Sequence, residues 1–266
     1  MATAGLIVIG DEILSGKVVD TNTPFLIGEL RALGVRLCEI AVIADQTAGI
    51  AETVARFAAR YDAVFTSGGV GPTHDDVTIA GVAQAFGVAV HRHPELAALL
   101  TAYYQSLPVP AVADSSDGDP RQSAESARHE LLNRSLRMAD VPEGTQLLTG
   151  VDLKWPVLCV RNVYILPGIP EIFRRKFLAI RERFRESPFT LRQIFIRSEE
   201  GEVASVLDHI ATTYPDVALG SYPRLEPAAD SHRVRLTLEG KDAARVAQAC
   251  DALARLLGET RIVSRS

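Results

Sequence analysis

The stretch Ser67-Gly-Gly-Val-Gly-Pro-Thr-His-Asp-Asp-Val-Thr78 places Gly68, Gly69 and Gly71 just ahead of two adjacent carboxylates, Asp75 and Asp76. Glycines let a backbone approach a ligand closely and take angles that other residues avoid. A bare phosphate cradle gains nothing from two further negative charges. The pair therefore points to a divalent cation, an amine or hydroxyl partner, or a proton acceptor beside the cradle. The motif is not a Walker A loop, because no Gly-Lys-Ser/Thr follows the glycines. Thr73 and His74 lie between the two halves in reach of a phosphate, and His74 serves acid–base work or is an ordinary solvated loop side chain.

The elements that must hold this motif are legible around it. The apolar run Ala63-Val-Phe-Thr66 reads as a buried strand, and Ile79, Val82, Ala83 and Phe86 follow at helical spacing. The motif thus sits in a strand-to-helix loop, where open α/β sheets bind ligands beyond the carboxyl ends of their strands. Upstream, Gly5-Leu-Ile-Val-Ile9 is a second buried strand, ending at Gly10-Asp11-Glu12. A polar segment with Asp20 and Asn22 leads to Thr23-Pro24, an N-cap and first helical proline, then to the stripe Leu26, Ile27, Leu30, Leu33, stopped by Gly34. Val35–Ile43 reads as a strand ending near Asp45, and Ile50, Val54, Phe57 and Tyr61 mark a helix over 47–60. Alternating strands and helices with short loops predict a doubly wound, three-layer αβα sheet. The clusters at 10–22, at Asp45 and at 67–78 then gather along one edge of that sheet.

Pro94 opens a further helix to about Gln105, and the region 106–125, rich in Pro, Ala, Ser and Asp, reads as a flexible insertion. Helical pattern resumes near Ala124 and runs to Met138, with short strands at Gln146–Thr149 and Val157–Val160. Arg161-Asn162 turns the chain into Val163–Leu166 and a second punctuated motif, Leu166-Pro-Gly-Ile-Pro-Glu171. Gly168, Pro170 and Glu171 begin a helix whose first amides offer an anion site or a plain turn. That helix carries Phe173, Phe177, Ile180 and Phe184 on one face, and Arg174, Arg175, Lys176, Arg181, Arg183 and Arg185 on a face read as solvated or as a subunit contact. Trp155 and Tyr164 read as core. From Leu191 the order becomes strand, helix, strand, strand, helix, a small α+β module that is KH-like in order but lacks a Gly-x-x-Gly clamp. The expected division is 1–188 and 189–266.

Composition narrows the class. Of 266 residues 47% are hydrophobic and 23% charged, the balance of a globular chain with a sizeable core, and the net charge of −5 argues against a general nucleic-acid binder. Cys38, Cys159 and Cys250 have no metal-ligand spacing and are expected as buried free thiols in a reducing compartment. The start shows no signal-peptide pattern and no run reaches the ~18 apolar residues of a membrane span. The expectation is a cytoplasmic protein without membrane or nucleic-acid partners.

Gly10-Asp-Glu12, Gly16, Asp20-x-Asn22, the 67–78 motif and Leu166–Glu171 together resemble the molybdopterin-binding domain shared by MoaB/Mog proteins and competence/damage-inducible protein A. The chain is similar still further to the corresponding domain of FAD synthases, which carries Gly-Pro-Thr-His-Asp-Asp-Val-Thr, Val-Arg-Asn-Val-Tyr, Pro-Gly-Ile-Pro-Glu and Gly-Ser-Tyr-Pro. Here these are Gly71–Thr78, Val160–Tyr164, Pro167–Glu171 and Gly220–Pro223, and the resemblance spans nearly all of the chain outside 106–125. In the molybdenum-cofactor branch it implies that Asp45 and Asp76 act in adenylylation of molybdopterin. In the competence-protein and FAD-synthase branch it implies hydrolysis of a nucleotide pyrophosphate, ADP-ribose or FAD, with Mg²⁺ or Co²⁺ and K⁺, releasing AMP. No stretch resembles the amidohydrolase domain of the one or the FAD-forming adenylyltransferase domain of the other, so FAD synthesis itself is not expected.

On that footing Asp45 and Asp76 are the expected catalytic residues, and Asp75 and Asp76 the expected metal ligands. Gly10, Asp11, Glu12, Asp20, Asn22, Ser67, Gly68, Gly69, Gly71, Thr73, His74, Gly168, Pro170 and Glu171 are expected to line the substrate, a nucleotide or pterin phosphate. Capping and turn roles compete at Asp11, Glu12, Asp20, Asn22 and Asp76. A pyrophosphatase-type hydrolase assembled as a homodimer or trimer is the first expectation. A molybdopterin-adenylylating protein and a non-catalytic nucleotide or flavin sensor are the alternatives.

Overall fold

Strand β1 (Thr3–Ile9) is apolar at successive positions because it is buried on both faces of the sheet. The computed structural model describes residues 2–107, 120–150, 153–225 and 231–266. After β1 the chain runs through α1 (Asp11–Leu14), α2 (Asn22–Ala32), β2 (Arg36–Ile43), α3 (Thr47–Arg60), β3 (Ala63–Ser67), α4 (Thr78–Phe86), β4 (Val90–Arg92) and α5 (Pro94–Ser106). It continues through α6 (Pro120–Ser135), β5 (Asp140–Pro142), β6 (Gln146–Leu148), β7 (Val157–Val160), β8 (Val163–Leu166) and α7 (Pro170–Ile180). The rest comprises β9 (Thr190–Ile196), α8 (Glu200–Thr213), β10 (Ala218–Pro223), β11 (Val234–Gly240), α9 (Ala243–Leu257) and β12 (Ile262–Arg265). Two compact units result, Met1–Glu186 and Ser187–Ser266.

The first unit is built on a six-stranded sheet of order β2-β1-β3-β8-β7-β6. The four strands β2, β1, β3 and β8 are parallel. Helices cover both faces: Leu6, Val8 and Phe65 pack with Leu26, Leu30, Phe173 and Phe177 on one side. Ile7, Ile9 and Val64 pack with Ile50, Val54, Phe57 and Val82 on the other. Each such side chain contributes roughly 1.5–3 kcal/mol by leaving water. This is the doubly wound αβα architecture expected from the sequence, and Tyr164 lies in its core, stacked on Phe65 at 5.4 Å.

Some expectations need correction. β7 runs antiparallel to both β8 and β6, so the parallel run ends at β8 and the sheet is mixed at one edge, with the turn at Arg161-Asn162 as expected. The cause is local: Arg161 takes a left-handed φ of 54° and the Asn162 amide donates to Ala58 O and Tyr61 O, which reverses the chain into a hairpin. β4 and β5 pair as a small ribbon with no counterpart in the sequence reading. Residues 108–119 of the expected insertion lie outside the described residues, and α6 already begins at Pro120, ahead of Ala124.

In the second unit β10-β11-β9-β12 form an antiparallel sheet. Its inward residues Ile194, Ile196, Leu236 and Leu238 share a core with Val203 and Ile210 of α8 and Val246 and Leu253 of α9. β12 was not anticipated. Among the described residues no helix is long and apolar enough to cross a membrane. Cys159 and Cys250 are buried free thiols as expected, but Cys38 is exposed, because it lies at an outward position of the edge strand β2.

Candidate active site

Because β1, β2, β3 and β8 are parallel, the segments after them emerge on one edge, and β1 and β3 flank the point where the chain's winding direction switches. Gly68 abuts this crevice. Its φ is +109°, and a Cβ there would lie 2.0 Å from Ile9 O, so the glycine is what lets the β3 loop pass the end of β1. Gly69, at φ +63°, leaves the same kind of gap: a Cβ would meet Thr78 Oγ1 at 2.3 Å and Asp45 Oδ1 at 3.5 Å.

Asp45 is the carboxylate nearest to that bare backbone. Its Oδ2 accepts the Asp11 N–H at 2.8 Å, the first free amide of the turn after β1. Burial is the main force raising its pKa, the Asp11 hydrogen bond opposes it, and the negative charges of Glu12, Asp11 and Asp75 add to the rise. Glu12 folds back over Gly10, whose absent side chain would otherwise meet Glu12 Oε1 at 2.6 Å. Carboxylates from two other loops therefore act electrostatically on Asp45.

Asp76 has a different position. Its Oδ2 accepts Thr73 N at 2.8 Å and the Thr73 hydroxyl, and the carboxylate packs against the bare Cα of Gly71. It closes its own turn and is not the N-cap of α4, a position taken by Val77 without a side-chain cap. Thr73 is correspondingly turned toward Asp76. Asp75 stays exposed, with its pKa lowered first by the Thr73 hydroxyl and then by its own amide. The His74 ring is 97% exposed, 3.9 Å from Asp75.

A buried clamp holds the edge together. The Asn22 amide, 4% exposed, donates to Ser67 Oγ at 3.0 Å and to Gly168 O at 2.8 Å, linking the β1, β3 and β8 loops. Asp20 does the capping at this helix, its Oδ1 accepting the amides of Asn22 and Thr23. Asn22 and Ser67 thus face each other, and Gly168 approaches Gly68 so closely that a Cβ would sit 3.3 Å from Gly68 Cα. Pro170 occupies the start of α7 and Glu171 its first turn, and the helix has no side-chain cap.

Four residues at this edge make contacts that the sequence reading does not assign. Thr78, fully buried, donates its hydroxyl to Gly68 O at 2.9 Å and so fixes the glycine loop from the helix side. Arg137 reaches Pro72 O at 3.3 Å from a single 3₁₀ turn, Leu136–Ala139, 65 positions away, a contact no spacing rule could signal. Lys176, grouped with the solvated arginines, instead turns inward and donates to Pro156 O at 2.6 Å. Trp155 packs partly buried against the core, as expected, and also lines a cavity. The faint signal for Lys176 was its spacing of four from Ile172, which puts both on one flank of α7.

Residues 5–185 match the family described as a probable molybdopterin binding domain, and residues 188–266 match the middle domain of FAD synthase. A Caenorhabditis briggsae protein named probable FAD synthase is 35% identical over 246 residues, 89% of this chain and 46% of that protein. The chain thus spans about half the length of the first curated relatives it matches. An Archaeoglobus fulgidus protein of unspecified role is 28% identical over 256 residues, covering 96% of this chain and 98% of its own. A crystal structure of CinA from Thermoplasma acidophilum, titled as of unknown function, superposes with a TM-score of 0.54 and 26% identity over 69% of this chain and 98% of its own. The chain therefore belongs to the molybdopterin-binding domain family, with a second unit like the middle domain of FAD synthase.

Proposed function

We propose that the site hydrolyses a nucleotide pyrophosphate of the ADP-ribose or FAD kind, releasing AMP with the help of a divalent cation. The observation that carries this reading is Asp45, a carboxylate whose pKa is raised by burial and by its acidic neighbours, with Oδ1 3.5 Å from where a Cβ on Gly69 of the glycine loop would stand. Among the described residues no three His, Cys, Asp or Glu side chains form a ready-made metal cage. The all-oxygen donors Asp45, Glu12 and Asp75 fit the other mode, a hydrated hard cation held by one or two carboxylates and by the substrate's own phosphates.

When bound, such a cation neutralises phosphate charge and acidifies water. The chain's own residues supply the rest. The Gly69–Gly71 backbone receives the phosphates, and Asp45 takes the proton from the attacking water, its raised pKa improving it as a base. The water oxygen bonds to phosphorus, the bond from that phosphorus to the bridging oxygen breaks, and the bridging oxygen leaves on the other phosphate. Asp75 and Glu12 would hold the cation, supplying hard oxygen donors. Asp76 positions the loop through Thr73 and leaves its other oxygen for the ligand.

Purified protein incubated with ADP-ribose or FAD, Mg²⁺ or Co²⁺ and K⁺ should release AMP, and Asp45→Asn should lower kcat by about 100-fold or more while the fold persists. No AMP from any dinucleotide ends this reading. MgATP-dependent adenylylation of molybdopterin would move the chain to cofactor synthesis, and saturable binding without turnover would make it a sensor.

A further inference from the structure

The second unit runs β9-α8-β10-β11-α9-β12, and both of its helices pack on the face of the sheet that carries Ile194, Ile196, Leu236 and Leu238. The residues that alternate with these belong to the opposite face. There the register sets three of them in one row across adjacent strands: Tyr222 on β10 is opposite Arg235 on β11, and Arg235 is opposite Phe195 on β9. Neighbouring strands are about 4.8 Å apart, so Tyr222 and Phe195 stand roughly 10 Å apart with a guanidinium between them.

The row presents flat surfaces. Gly220 sits inside β10, where a glycine weakens a strand, and it makes room for the Tyr222 ring: a Cβ there would meet Tyr222 Cε2 at 2.8 Å. The ring therefore lies along its own strand, with the Arg235 guanidinium 4.8 Å from its centroid, and Tyr222 stays 49% exposed. Phe195 is partly buried and meets His232 in an edge contact, the ring centroids 4.6 Å apart. The next row along the strands is Gly220, Thr237 and Gln193, which adds a hydroxyl and an amide.

The charge beside this row is positive. Arg197 and Arg224 follow β9 and β10, which end on the same side of the sheet because both run antiparallel to β11. Both are exposed, as is Arg235, and among the described residues none of the three has a carboxylate partner. Burial and then the charges of Arg224 and Arg235 lower the pKa of His232, so both guanidinium groups are felt at the rings. The acidic Glu239 is two rows away, toward the other end of β11.

An apolar protein partner would strip water from these guanidinium groups, and a bare anion would leave the rings unused. A chain of flat bases on a phosphate backbone suits both, because bases stack on aromatic and guanidinium planes while phosphates meet cations. Bases stacked inside a duplex expose no face for this. Thr237 and Gln193 offer partners to a ribose 2′-hydroxyl, which favours RNA over DNA. The net charge of −5 argues against binding over the whole surface, and the missing Gly-x-x-Gly clamp against binding between helices. Neither bears on the open face of the sheet.

We propose that the open face of the second unit's sheet binds single-stranded RNA, with one base stacked on Tyr222 and Arg235, a second on Phe195, and the phosphates toward Arg197 and Arg224. RNA binding here does not depend on hydrolysis by the first unit. Full-length protein would be titrated into a fluorescein-labelled single-stranded RNA of about eight nucleotides, into DNA of the same sequence and into the RNA duplex, with anisotropy as the readout. The single-stranded RNA should bind saturably, about tenfold or more tighter than the duplex and about threefold or more tighter than the DNA. Tyr222→Ala and Phe195→Leu should each weaken RNA binding by about tenfold through the loss of one stacked base, whereas Tyr222→Phe keeps the plane and should stay within about twofold of wild type. Arg235→Gln should weaken binding and flatten its dependence on salt by about one phosphate contact. Circular dichroism would show that each variant is folded, and Asp45→Asn should bind RNA as wild type does, which separates this face from the hydrolytic site. Full affinity in Tyr222→Ala, equal affinity for the DNA or the duplex, or no saturable binding up to about 100 µM protein would overturn the assignment. So would equal competition by poly-glutamate, which would make the face a plain anion site, or a dimer that Tyr222→Ala dissociates, which would give the face to a second copy of the chain.

Discussion

Two strand-to-helix turns in this molecule solve the same problem in opposite ways. Between β9 and α8 the chain closes a capping box: Glu199 accepts from the Glu202 amide and Glu202 answers to the Glu199 amide. Arg233 then pairs with Glu199, so little polar capacity is left over. Between β3 and α4 the helix begins at Thr78 with no side-chain cap, although Thr73, Asp75 and Asp76 are all at hand. Asp76 is turned back into the loop against Gly71, and Asp75 is left exposed with its charge felt at Asp45. Local structure consumes the polar groups of the β9–α8 turn, whereas the β3–α4 turn leaves Asp75 exposed. A ligand is the simplest partner for what is held back.

The strongest way to break the contrast is to fill the bare backbone. Gly68→Ala puts a methyl 2.0 Å from Ile9 O at a φ of +109°, and it should destabilise the protein by about 3 kcal/mol or more, read by urea unfolding. In α8, Gly201→Ala enters open space at an ordinary φ and should stabilise by about 0.4–1 kcal/mol. If both substitutions cost the same, the glycine loop is not the strained element described here. Next in size is the loss of turnover in Asp45→Asn. Asp76→Ala should combine weaker activity with a measurable loss of stability, because Thr73 N and its hydroxyl lose their acceptor.

Much of this was readable from the chain. The runs Gly5–Ile9 and Ala63–Thr66 carry no polar residue before their ends, which marks strands buried on both faces, and glycines and carboxylates cluster just past them. Asn22 was harder, since a residue beside a helix start is as good a cap as a clamp. The difference depends on Ser67 and Gly168, which only the folded sheet brings near. β4, β5 and β12 are three or four residues long, too short for alternation to show, and they exist because a partner strand is there. Lys176 was lost among arginines because its charge, not its position on the helix, dominated the pattern.

Lys176 extends the contrast to a single side chain. In the small unit Arg245 is held by Asp216 and by Thr213 O, whereas among the described residues Lys176 has Pro156 O alone. With a folded pKa of about 8 against an ordinary 10.5, the unfolded chain binds more protons between those values. The lysine's contribution to stability therefore rises with pH across that window, by up to ~1.4 kcal/mol per unit. Tyr61, raised by its hydrogen bond to Glu39, and Tyr164 and Cys159, raised by burial, pull the other way. The test is thus the difference between wild type and Lys176→Met in denaturant midpoints at pH 7.5, 9 and 10. A flat difference would mean that the amine is not desolvated.

The smallest effect tests the other side of the contrast. Asp242 caps α9, its Oδ1 accepting Ala244 N at 2.9 Å and Arg245 N at 3.1 Å. Both amides end without an acceptor if the side chain is removed, so Asp242→Ala should cost about 1 kcal/mol in the urea unfolding of the small unit. The Asp242 carboxylate is spent on these amides, so AMP release by the large unit's site should stay within about twofold of wild type, a change worth less than the cap itself. A loss of turnover well beyond the loss of stability would show that the small unit takes part in the chemistry. The groups that do the chemistry would then no longer belong to the carboxyl edge of the large sheet alone.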